Sequence, residues 1–148
     1  MKILHLEIRE FYLTVERSRQ KLPDDAKLVI HFPEDPWFVV TQSATAASAG
    51  IRQRMPLDKA KGILPDAHYV PADFQIYARL SDQINTRIRE VYPFTEQLDF
   101  YEWFCDLTED SGDYQDAIRR QVGRQYPFEL LFSVSRNKFL AKLGNETG

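Results

Sequence analysis

Residues 2–9 alternate between apolar and mixed positions, with Leu4, Leu6 and Ile8 on one face and Ile3, His5, Glu7 and Arg9 on the other. That two-residue period predicts a strand. From Glu10 the period lengthens, and Phe11, Tyr12 and Val15 predict a short helix to about Lys21. Leu22-Pro23-Asp24-Asp25 is turn chemistry. Segments 27–32 and 37–41 read as strands around the Pro33-Glu34-Asp35-Pro36 turn, and the small residues of 43–50 as helical. Pro56 opens a helix over Leu57–Ile63, and 67–70 is short and extended. Asp73 heads a long helix in which Tyr77, Leu80, Ile84, Ile88 and Val91 recur at helical spacing, ending before Pro93. The strongly apolar 97–107 reads as one extended run, Asp113 as the cap of a helix through Val122, 130–134 as a strand, and Asn137 onward as a last helix.

Outside the stretch 11–73, strands and helices alternate, which points to α+β packing, one body with an insertion after its first strand. At 148 residues and 43% apolar, the chain is long enough to bury a core without disulfides. Cys105 is the only cysteine, which excludes an internal disulfide framework and a cysteine-based zinc cluster. His5, His31 and His68 have no metal-ligand spacing to one another. No apolar run approaches the roughly 18 residues of a membrane span, and the first residues lack the pattern of a signal peptide. The default expectation is a reduced, cytoplasmic compartment with no membrane partner. The net charge of −3, from 19 basic and 22 acidic residues, argues against tight autonomous DNA binding, which draws on counterion release by a basic surface.

Two distant segments carry candidate chemistry: Leu6-Glu7-Ile8-Arg9-Glu10-Phe11-Tyr12 and Leu98-Asp99-Phe100-Tyr101-Glu102-Trp103-Phe104. Together with Gly50-Ile51-Arg52, Met55-Pro56-Leu57, Ala60-Lys61, Leu64-Pro65, the helix Tyr77 to Ile88 and Asn137-Lys138-Phe139-Leu140-Ala141-Lys142, they make the chain resemble a Y-family (translesion) DNA polymerase over its palm and fingers. The resemblance covers nearly the whole sequence, in the family's order.

It implies a ferredoxin-like antiparallel palm sheet with helices on one face, built from 1–11 and 74–148, and a small fingers insertion at 12–73. On that resemblance, the family's thumb and C-terminal DNA-gripping domain are expected to lie outside these residues. By the same resemblance Glu7 falls on the first metal-binding aspartate, Tyr101 on the second and Glu102 on the adjoining glutamate. Tyr12 falls on the steric-gate aromatic with Phe11 before it, and Lys138 on a lysine that contacts the incoming triphosphate. Ala44 and Ala47 stand where the fingers residues that grip that triphosphate belong.

Nucleotidyl transfer by the family works by positioning and charge neutralisation around two divalent ions, which in the case of magnesium require clustered oxygen ligands. Tyr101 is a neutral phenol at pH 7 and a poor ligand. By strand parity Arg9 shares the face of Glu7; Asp99, which has the parity of Tyr101, and Glu10, adjacent to the site in sequence, are the candidate substitute ligands. The expected ligand set is therefore Glu7, Glu102 and Asp99, with weakened binding of Mg or Mn. A unit charge at ~4 Å contributes roughly 4 kcal/mol at an effective dielectric of about 20, so one lost carboxylate and one added guanidinium lower activity by orders of magnitude.

The expected function is that of a catalytically impaired lesion-bypass polymerase fragment in DNA repair and damage-induced (SOS) mutagenesis. Its partners would be DNA (weakly, on its own), a deoxynucleotide and other replication and repair proteins. Two alternatives stay open: an active nucleotidyltransferase with an altered metal shell, and a protein-interaction module without nucleotide function. Arg52, Arg54, Lys59 and Lys61, and Lys142 on the last helix, read as solvated basic surface.

Overall fold

The computed structural model describes residues 1–109 and 112–147. The elements in chain order are β1 (Ile3–Arg9), α1 (Phe11–Gln20), β2 (Leu28–His31), β3 (Val39–Gln42), α2 (Ala44–Ser48), α3 (Leu57–Ile63) and β4 (His68–Pro71). They continue with α4 (Phe74–Val91), β5 (Thr95–Asp99), β6 (Glu102–Asp106), α5 (Tyr114–Val122), β7 (Glu129–Ser135) and α6 (Lys138–Thr147). The chain divides into two compact units, one formed by Met1–Phe11 with the residues from Gln75 onward, the other by Tyr12–Phe74.

The first unit is built on a four-stranded sheet in the order β5-β6-β1-β7. Every pairing is antiparallel, and β1 lies between β6 and β7. Its connectivity, strand-helix-strand-strand-helix-strand, is ferredoxin-like. Register sorts the side chains. Leu4, Leu6 and Ile8 share a face with Trp103, Cys105 and Phe132, while Ile3, His5 and Glu7 share the other with Phe104, Glu102 and Ser133.

Helices α4 and α5 cover the first face. The α4 stripe Tyr77, Leu80, Ser81, Ile84 and Ile88 is buried, and Trp103, fully buried, donates from Nε1 to Asn85 Oδ1 at 3.2 Å. The α5 side is fixed by Ile118 and Val122 and by Tyr114 edge-on to Phe132. Asp113 caps α5 as its sequence predicts, accepting from the backbone N–H groups of Gln115 and Asp116.

The last helix, α6, turns back onto the opposite face. Ala141 packs with Ile3 and Phe104 in a small buried cluster. Gly144 passes over Ser133 so closely that a side-chain carbon would overlap Ser133 Oγ and lie 3.0 Å from its Cβ. Small residues at these two positions let α6 close onto β1 and β7.

One sequence expectation is corrected here. The run 97–107 is a β-hairpin rather than a single strand, with Phe100 and Tyr101 between β5 and β6. The register shifts between Gln97 and Asp99, and Asp99 Oδ1 accepts from the adjacent Phe100 N–H at 2.6 Å.

The second unit is a three-stranded sheet, β3-β2-β4, with β2 and β4 parallel. Its core gathers Val29, Val39, Ala46, Ile51, Ala60 and Leu64. Ser43 caps α2, and its Oγ also accepts from the Leu28 N–H at 3.0 Å. Tyr69 donates its hydroxyl to the carbonyls of Leu64 (2.6 Å) and Ala60 (3.0 Å), tying β4 to the end of α3. No helix among the described residues is long and apolar enough to cross a membrane.

Candidate active site

Antiparallel register sets Glu7 directly opposite Glu102 on the α6 side of the sheet. Both are half-buried. The Glu7 carboxyl titrates above its ordinary value, first because burial disfavours its charge and next because the Glu102 carboxylate repels it; Lys142 partly offsets this. Lys142 Nζ lies 3.8 Å from Glu102 Oε1. Glu146, one turn further along α6, adds a negative field at Glu7.

Beneath Glu102 sits His5, fully buried, with Nε2 3.5 Å from Glu102 Oε1. The side-chain nitrogen of Asn145 lies 2.7 Å from both Nδ1 and the carbonyl oxygen of His5, and 3.3 Å from the carbonyl of Leu131. An amide NH₂ only donates, so Nδ1 is the acceptor and the ring proton resides on Nε2, on the side of the ring nearer Glu102. Burial, followed by the Lys142 charge, lowers the His5 pKa to about 4, so the ring is neutral at physiological pH. Asn145, His5, Glu102 and Lys142 thus form a chain of polar contacts between α6 and the two central strands.

Tyr101 closes the turn beside this pair, its carbonyl accepting from the Ile8 N–H at 2.8 Å. Burial and then the charges of Asp99, Glu102 and Glu7 raise its phenol pKa, so it stays protonated and neutral among the carboxylates. The divalent ions implied by the family resemblance do not fit this donor set. Glu7 and Glu102 supply two carboxylates, Tyr101 supplies a neutral phenol, and the nearest cation is already the ammonium of Lys142. Among the described residues no group of three or more His, Cys, Asp or Glu is arranged to hold a metal ion. Asp99, at the end of β5, accepts the Phe100 N–H on Oδ1 and contributes its charge at Tyr101.

Other expected site residues are placed as follows. Phe11 is 2% exposed, stacked on Phe128 (5.3 Å between centroids) and edge-on to Tyr77. Tyr12 belongs to the second unit, half-exposed and edge-on to Phe74. Lys138 is ion-paired with Glu96 and sits 5.7 Å over the Phe104 ring, so the lysine that reaches the acidic pair is Lys142, one turn on. Arg9 is held by Glu129 at 3.5 Å. Ala44 and Ala47 lie on α2, and the Ala47 carbonyl accepts from Arg52 Nη1.

Sequence reasoning missed His5, Lys142, Asn145 and Glu146 as parts of the site. Only the small residues Ala141 and Gly144 signalled that this face of α6 meets a sheet.

The comparisons agree with this architecture. Residues 6–146 match the family model described as the impB/mucB/samB family. The chain is 28% identical over 151 residues to a DNA polymerase IV of Bacteroides fragilis, covering 98% of this chain and 42% of the relative. To a DNA polymerase IV of Alkalilimnicola ehrlichii it is 31% identical over 152 residues, covering 98% and 43%. Among solved structures, DinB from Sulfolobus solfataricus superposes with a TM-score of 0.85 at 22% identity, over 100% of this chain and 46% of that one. An insertion ternary complex of Dbh DNA polymerase gives 0.81 at 22% identity, over 99% and 46%. The chain thus spans less than half the length of these relatives. On the match to the family model the chain belongs to the impB/mucB/samB family, the Y-family DNA polymerases.

Proposed function

We propose that this chain is the palm and fingers part of a lesion-bypass polymerase-like protein whose own nucleotidyl transfer is impaired and which acts in DNA repair and damage-induced mutagenesis. The first unit is the palm and the second the fingers. The observation that carries the reading is the composition of the acidic site. A neutral Tyr101 phenol stands beside Glu7 and Glu102, and the Lys142 ammonium lies 3.8 Å from Glu102. With only two carboxylates and a resident cation, the site lacks the anionic oxygen needed to bind and neutralise paired divalent ions, which is where most of the rate of phosphoryl transfer arises. Each 1.4 kcal/mol withheld from the transition state is about tenfold in rate.

DNA and a deoxynucleotide are the ligands that fit the reading, and other repair proteins the partners. What Glu7 and Glu102 retain is a pair of opposed carboxylates, which supports a second reading as a working enzyme with an altered shell. Primer extension by the full-length protein with Mg²⁺ or Mn²⁺ separates the two. We expect extension reduced by orders of magnitude relative to an active family member. Robust metal-dependent extension that Glu102→Ala abolishes would overturn the impaired reading.

A further inference from the structure

We propose that the cleft at the C-terminal end of α5 binds an oligophosphate ligand bearing an apolar or aromatic end, of the chemical class of a nucleoside triphosphate. The cleft, about 550 Å³, lies in the first unit, on the helix-covered side of the sheet away from Glu7 and Glu102. Its walls are the guanidinium-bearing side chains of Arg119, Arg120 and Arg124, and its floor is Val122, Phe128 and Leu130. That volume falls within the usual range of small-ligand sites.

The arginines are partly fixed before any ligand arrives. Arg119 lies 5.1 Å over the Phe132 ring, and Arg120 is paired with Asp116 at 3.0 Å. A fourth arginine joins from α4: Arg87 Nη1 lies 3.5 Å from where a Cβ would stand on Gly123, the residue that ends α5 with φ +82°. Arg119 and Arg120, in the last turn of α5, complement the negative end of the helix dipole. Helix capping does not account for the other two, because Arg124 lies beyond the helix end and Arg87 belongs to a different helix. Among the described residues neither Arg87 nor Arg124 has an ion-pair partner, and Asp116 is the only carboxylate lining the cleft.

Three arginines lining a cleft with one carboxylate, and a fourth beside Gly123 at its edge, are a marked local exception in a chain of net charge −3. Guanidinium forks match phosphate oxygens in bidentate geometry, and several converging on one cleft match several phosphates. The apolar floor gives the rest of the ligand a surface to cover; the Phe128 ring is held for that purpose by stacking on Phe11 at 5.3 Å.

The test is isothermal titration calorimetry of the whole chain at low salt with EDTA present, using dATP and inorganic pyrophosphate as titrants. dATP is expected to bind without metal, and pyrophosphate several-fold more weakly because it leaves the floor uncovered. Arg124→Glu and Arg87→Glu, both at exposed positions, are each expected to weaken dATP binding by about tenfold or more. A Glu7→Gln/Glu102→Gln variant is expected to bind dATP as the parent does, which separates this cleft from the acidic site. Absence of dATP binding, unchanged affinity in Arg124→Glu, or pyrophosphate binding as tight as dATP would each overturn the proposal.

Discussion

Glu7 and Glu102 face one another across the β1–β6 ladder, and the charge of each is unfavourable to the other. The folded-state pKa of Glu7 is raised, so its protonated form is the one that folding favours. The stability this provides is complete below the unfolded-state value of 4.5 and is lost as pH rises through the higher folded-state value. Glu7→Gln keeps the shape and removes the charge. It is expected to raise the melting temperature at pH 7.5, by about 2–4 °C for each kcal/mol gained, and to have no such effect at pH 4. Calorimetric melting at the two pH values checks both halves.

His5 pulls in the other direction. Its folded pKa of about 4 lies below the ordinary histidine value of 6.5, so the unfolded chain takes up the proton first as pH falls. The contribution is fully present above pH 6.5 and is lost on descending toward pH 4, a difference of as much as about 3 kcal/mol. Urea denaturation of wild type and His5→Gln between pH 7 and pH 4 isolates it. The parent's stability is expected to fall more steeply than the variant's, and parallel curves would refute the assignment of a neutral, buried ring.

The two lysines of α6 are expected to behave differently. Lys138 and Glu96 are both more than half exposed, and Lys138→Met is expected to change stability by no more than about 0.5 kcal/mol. Lys142 instead faces a Glu102 side chain only 15% exposed. Lys142→Met is expected to cost roughly 1 kcal/mol and to push the Glu7 titration still higher, read from the side-chain carboxyl carbon by NMR. An unmoved Glu7 titration in that variant would show that Lys142 does not serve the acidic pair.

The approach of α6 to β7 makes a steric prediction. Gly144→Val drives new atoms into Ser133 and is expected to cost about 1–3 kcal/mol, the usual range for overpacking. Ser133→Gly removes the obstructing side chain, so the double variant is expected to recover a substantial part of the loss in a thermal double-mutant cycle. Additive losses would mean that the two residues do not meet.

Cys105 is fully buried on β6, and burial pushes its thiol pKa up to about 11. The native protein is expected to resist iodoacetamide at pH 8, with labelling appearing only through unfolding, so the rate follows denaturant in step with circular dichroism.

Much of this architecture could be read from residue patterns, and the failures have physical causes. The alternation of β1, the limits of α3 after Pro56 and the Asp113 cap of α5 are local signals, and local signals survive into the fold. The β5–β6 hairpin was hidden because its turn is made by Phe100 and Tyr101, aromatic residues in place of the Gly or Asn that mark most tight turns. The pairing of Glu7 with Glu102 came from family resemblance, not from spacing. The contacts of His5 with Asn145 join residues 140 positions apart, and nothing local to either residue announces the other.

The placement of β1 between β6 and β7 has a consequence for how the protein is made. Ribosomes deliver β1 before both of its neighbours, which begin after residue 100, so a nascent chain carries Leu4, Leu6 and Ile8 without a sheet to join until those later strands emerge. Such long-range pairing is slow and leaves apolar strand edges open to misassociation. The Tyr12–Phe74 unit, whose strands pair only with one another, has no comparable wait. Closure of the polymerase-like sheet therefore waits on β7, at residues 129–135, and expression at lower temperature is the condition that favours its recovery.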